Sequence, residues 1–98
     1  MKVNGLHHVS MSVPDLEAAR AFYTGVLGFP EVFAMSWSGS ADMDRLTALQ
    51  DTRARMMFLD AGNLLIEVFE YAAPEPRAVR PQGEVHHYGY THLCLDVD

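Results

Sequence analysis

The sequence predicts an α+β fold in which one strand, one helix and three further strands follow each other, βαβββ, before a linker and the opening strand of a second unit. Three observations carry this expectation. Residues 6 to 13 alternate in polarity, residues 14 to 28 repeat apolar side chains at helical spacing, and two strand-like runs flank the turn Asp60-Ala-Gly-Asn63.

In the first strand Leu6, His8, Ser10 and Ser12 share one face, while His7, Val9, Met11 and Val13 share the other, which should pack on the helix. Pro14 and Asp15 open that helix, with Asp15 as its N-cap and Glu17 where negative charge meets the positive end of the helix dipole. Leu16, Ala19, Phe22, Tyr23, Val26 and Leu27 form its apolar stripe, and Gly28 followed by Pro30 stops it. Val32 to Trp37 reads as the second strand. Residues 38–42 read as a flexible Ser/Gly loop leading into a short helical turn, Met43 to Leu49. Arg53 to Leu59 and Leu64 to Tyr71 form a hairpin, because the Gly and Asn between them tolerate positive φ. Pro74, Pro76 and Pro81 exclude a helix interior or central strand from residues 72–88, which are therefore a linker. Thr91 to Val97 alternates as one more strand.

Ninety-eight residues, 49% hydrophobic and 20% charged, suit one small globular domain. The net charge of −6 disfavours nucleic acid and anionic membrane surfaces as partners but leaves a small molecule open. No apolar run approaches the ~20 residues of a spanning helix, and no signal-peptide stretch opens the chain, so a cytoplasmic location is expected. The single Cys94 cannot form an internal disulfide. The chain stops at Asp98 directly after an alternating run, with no closing turn, and is read as part of a longer protein or as completed by a partner chain.

Three strands each carry one residue of the type a divalent transition metal selects: His8, Glu67 and His92. His8 shares its face with Ser10 and Ser12, and His92 shares its face with Cys94 and Asp96, so each histidine stands on the more polar side of its strand. Glu67 shares its face with Leu65, Phe69 and Tyr71, an apolar wall with one acid set into it. An ionised carboxylate there costs several kcal/mol unless a cation pairs with it. That cation is either a metal or Arg55 across the hairpin.

The segment from His8 to Phe29, with its Phe-Tyr-x-x-Val-Leu-Gly-Phe ending, resembles the opening strand and helix of the vicinal oxygen chelate superfamily, the glyoxalase, bleomycin resistance and extradiol dioxygenase fold. Gly62 to Phe69 resembles the closing strand of that family's first βαβββ module, and Gly89 to Val97 the first strand of its second. The resemblance implies a partly open β-barrel of paired modules: residues 1–71 as the first module, 72–88 as the Pro-rich linker and 89–98 as the first strand of a second module, incomplete in this chain. It implies His8, Glu67 and His92 as metal ligands, with a fourth, usually a carboxylate, outside this chain. Zn, Ni, Mn, Fe and Co all suit such a set. A homodimer is also implied.

The function expected from this resemblance is a metal-dependent enzyme acting on a small oxygenated substrate: a glyoxalase- or epimerase-like isomerase, or a lyase, using Lewis-acid stabilisation of an enolate. Ser10, Trp37, Phe69 and Tyr71 would contact the substrate, and residues 36–44 would form a mobile cover. The alternatives are a ring-cleaving dioxygenase of the extradiol type and a metal-free binding protein of the bleomycin-resistance type, with Trp37, Phe69 and Tyr71 as stacking walls. Two departures speak against a glutathione substrate: Ser12 and Tyr71 stand where bacterial glyoxalase I carries an arginine and an asparagine. The glutamine that epimerase-like members place in an inner strand has no counterpart, because Gln50 and Gln82 lie in loop and linker. No catalytic base is assigned. His7 reads as structural, His86 and His87 as exposed loop residues, Glu70 as a solvated charge, and Cys94 as a small buried hydrophobe.

Overall fold

The computed structural model of the protein describes residues 1–77 and 85–98, so residues 78–84 of the expected linker, Gln82 among them, lie outside the described residues. The elements are β1 (His8–Ser12), α1 (Leu16–Arg20) continued by a π-helical segment (Ala21–Val26), β2 (Glu31–Ser38), α2 (Ala41–Thr47), β3 (Arg53–Asp60) and β4 (Leu65–Ala73). They form one open sheet in the order β1-β4-β3-β2, with β1 parallel to β4 and the other pairs antiparallel. The expected βαβββ order is therefore present, with α2 inserted between the second and third strands. Among the described residues no helix is long and apolar enough to cross a membrane.

Asp15 caps α1 as its chemistry dictates, its Oδ1 accepting from the Ala18 amide at 3.1 Å. The helix then departs from the expected regular stripe. Thr24 Oγ1 donates to the Arg20 carbonyl at 2.5 Å, and the Leu27 amide bonds to the Phe22 carbonyl five residues back. This wider winding rotates the stripe. Leu16 and Ala19 stay buried and Tyr23 packs on the core, whereas Phe22 and Val26, expected inside, are exposed. Gly28 then ends the segment at a φ of 77°, a conformation that costs a glycine little.

The helix-side face of the sheet holds the main core: Leu16, Ala19, Met57, Leu59, Ile66 and Val68. Glu70 lies on this face and is not a solvated charge. Its Oε2 accepts from the Leu16 amide at 2.6 Å, while Arg55 donates to both of its oxygens at 3.1 Å. The carboxylate thus ties β4 to β3 and to the first turn of α1, satisfying an amide that no helical carbonyl reaches. The Arg55 bonds, and then the Leu16 amide, hold the Glu70 carboxyl below the usual carboxylate range.

Residues 36–44 are not a loose cover. Three of them complete β2, Gly39 turns the chain at a φ of 62°, and Ser40 caps α2 through the Met43 amide at 3.2 Å. Asp44 then fastens α2 to the next strand by accepting from Asp51 N, Thr52 N and Thr52 Oγ1. These bonds, the Thr52 hydroxyl first, keep the Asp44 carboxyl low. The segment from Thr91 to Val97, expected as a strand, carries no ladder. Alternation prepares a strand, but only pairing makes one.

Candidate metal and substrate site

The second face of the sheet is built by the residues left over when the core takes its share. Along β1, Val9 and Met11 turn toward the helix, so His8, Ser10 and Ser12 turn away. Along β4, Ile66 and Val68 are buried, so Leu65, Glu67, Phe69 and Tyr71 face the other side. Register then brings the two strands together: Ser10 pairs with Glu67 and His8 with Leu65. His8 Nε2 comes to 3.8 Å from Glu67 Oε1. That is too long for a hydrogen bond and close to the ~3.5 Å between two ligands that each sit ~2.1 Å from one ion. The imidazole and carboxylate therefore suit a shared divalent cation, and His8 and Glu67 are the residues that would hold it.

Both side chains are restrained. Glu67 is 15% exposed and His8 41%, and the His8 ring meets Phe58 edge-on with centroids 5.4 Å apart. Arg55 is not the partner of Glu67, because its guanidinium serves Glu70 and Glu17 on the opposite face.

His92 joins this site only loosely. With His8, Ser10 and Tyr90 it lines a cavity of about 540 Å³ that wraps the free edge of β1. Among the described residues no three of His, Cys, Asp and Glu gather closely enough to hold one ion. Cys94 is exposed, against expectation, and lines a different cleft with Phe29 and Ala61.

Trp37, Phe69 and Tyr71 share this face and touch one another. Trp37 stands edge-on to Phe69 and Tyr71 at 6.0 and 6.1 Å, and Phe69 stacks on Tyr71 at 5.7 Å. Trp37 is 8% exposed and sits beneath the other two rings as support. A chain of hydrogen bonds fixes it, from its Nε1–H to Thr52 Oγ1 at 2.8 Å and from that hydroxyl to Asp44 at 2.5 Å. Burial, and then the charge of Glu67, push the Tyr71 phenol up, so that it remains protonated and a hydrogen-bond donor.

Sequence reasoning missed two participants. Thr52 is a polar residue between Asp51 and Arg53, yet only 1% exposed, and its partners Trp37 and Asp44 come from other elements. His7 was assigned to the helix-packing face, but its Nδ1 lies 2.7 Å from His8 Nδ1.

An open βαβββ sheet with an acid and a histidine on its free face is the arrangement that the resemblance implies for a first module. Comparison makes this specific: residues 5–98 match the family model of the Glyoxalase/Bleomycin resistance protein/Dioxygenase superfamily, and the chain belongs to that family. A 2-epi-5-epi-valiolone epimerase from Actinomyces sp. is 35% identical over 94% of this chain and 51% of its own length. The mitochondrial methylmalonyl-CoA epimerase of Bos taurus is 29% identical over 95% of this chain and 46% of its own. The crystal structure of a glyoxalase family protein from Bacillus cereus superposes with a TM-score of 0.77 at 22% identity, over 92% of this chain and 60% of that one. The chain spans about half the length of the curated relatives it matches.

Proposed function

We propose that this chain is the metal-binding first half of an isomerase that moves a proton on carbon next to a carbonyl, with His8 and Glu67 as ligands and His92 as a third. The observation that carries this reading is the approach of His8 Nε2 to Glu67 Oε1 on the free face of the sheet. A divalent ion bound there would act as a Lewis acid on a substrate oxygen and weaken the adjacent C–H bond. The chain's own residues do the rest. Ser10, next to Glu67 in register, offers a hydroxyl to a substrate oxygen, and Phe69 and Tyr71 supply an apolar wall that keeps water from the reacting carbon.

Two relatives named as epimerases support an isomerase over a lyase or a dioxygenase. The free edges of β1 and β2 support completion by a second module, and a homodimer is part of the same reading.

Hydrogen exchange tests it. The whole protein loaded with zinc or cobalt, incubated in D2O with methylmalonyl-CoA or with 2-epi-5-epi-valiolone, is expected to exchange the proton beside the carbonyl of one of them. Exchange should fall at least about 100-fold in Glu67→Gln. A metal-loaded protein that exchanges neither compound contradicts the isomerase reading. A metal-free pocket is the second reading, favoured because among the described residues no three of His, Cys, Asp and Glu gather closely enough to hold one ion. It is tested by binding of an aromatic ligand that Tyr71→Ala abolishes and a chelator leaves intact.

A further inference from the structure

His7 and His8 meet at the entrance to β1, with their Nδ1 atoms 2.7 Å apart and their rings at 81°. Neighbours within a strand point to opposite faces, but the ladder begins at His8. His7 lies just outside the pleat, its carbonyl held by the Leu65 amide at 3.0 Å, and its ring is able to turn onto its neighbour. A contact this short between two ring nitrogens requires one proton between them. Two bare lone pairs repel, and two N–H groups clash.

The two rings therefore play opposite roles. His8 can present a lone pair at Nε2 only if its own proton is on Nδ1, and in that tautomer Nδ1–H points at a bare Nδ1 of His7. Metal-ligating histidines commonly donate their second ring N–H to a fixed acceptor, which is here a histidine in place of a carboxylate or carbonyl. Phe58 bounds the His8 ring edge-on. We infer that His7 is a positioning residue: it accepts the His8 Nδ1–H and so fixes the tautomer and ring orientation that leave Nε2 turned toward Glu67. The inference rests on the ligand reading of His8.

Long-range 1H–15N NMR of the histidine rings in the metal-free whole protein tests it, at about pH 8, where unperturbed imidazoles are neutral. His8 in the wild type is expected to carry its proton on Nδ1. In His7→Ala the proton should move to Nε2, the form that a solvent-exposed neutral histidine prefers, and in His7→Asn the side-chain carbonyl should restore the wild-type form. Zinc affinity should follow, weaker by about tenfold or more in His7→Ala and recovered in His7→Asn. A His8 tautomer that is the same in the wild type and in His7→Ala overturns the inference. Absence of zinc binding by the wild type overturns the metal reading instead, and the tautomer comparison still decides the role of His7.

Discussion

The two faces of β4 are made of alternate residues of one strand, yet they follow opposite rules. On the helix side Ile66 and Val68 are closed into the core, and Glu70 has its oxygens filled by Leu16 and Arg55. On the free side Glu67 faces His8 across 3.8 Å, and Phe33 and Met35 of β2 remain exposed. Two acids three residues apart thus divide the labour. Glu70 holds helix to sheet with every strong donor in reach, and Glu67 is held short of a hydrogen bond, with room for a cation between it and its partner. A satisfied polar group builds the fold, and an unsatisfied one, placed where the apolar surface is left open, is free to bind.

Substitutions can break this contrast in order of expected size. Met57→Ala and Leu59→Ala empty fully buried sites and should each cost about 2–5 kcal/mol in urea unfolding, whereas Met35→Ala, 37% exposed on the free face, should cost under about 1 kcal/mol. Equal costs would show that Met35 is packed as tightly as the helix-side core, although the buried cluster of its face is Trp37, Ala54 and Met56. Thr52→Val removes the acceptor of the Trp37 indole and the donor to Asp44, and about 1–3 kcal/mol should go with it. Trp37 fluorescence during thermal unfolding will report whether the aromatic cluster loosens first.

Glu70 also gives a pH test. Its carboxyl titrates lower in the folded chain than in the unfolded one, so its contribution is fully present above about pH 4.5 and is lost as pH falls through the folded value. The stability advantage of the wild type over Glu70→Gln should therefore shrink as urea midpoints are followed downward from pH 6. A constant gap would show that the Arg55 and Leu16 bonds do not depend on the charge. Smallest of all, Glu67→Gln should change stability by no more than about 0.5 kcal/mol, because under the proposed reading the acid serves binding rather than the fold.

Much of this was legible in the chain. Alternation in residues 6 to 13 and 64 to 71 sorted His8, Ser10, Glu67, Phe69 and Tyr71 onto one face, and register delivered them together. What local patterns left out depends on distant partners. The bond from Glu70 to Leu16 spans 54 positions, and the support of Trp37 by Thr52 spans 15. The π-helical winding after Arg20 follows from a hydroxyl competing for a carbonyl, which leaves the apolar spacing of the sequence unchanged while Phe22 and Val26 turn outward. His7 escaped because the period of two was applied one residue before the ladder starts.

The central claim is that the free face of the sheet is a metal site, and metal content tests it most directly. Plasma mass spectrometry on the whole protein is expected to find about one equivalent of a divalent transition metal, lost in His8→Ala and in Glu67→Ala while Glu70→Gln retains it. A folded wild type that binds none, or a Glu67→Ala variant that keeps its metal, would contradict the account.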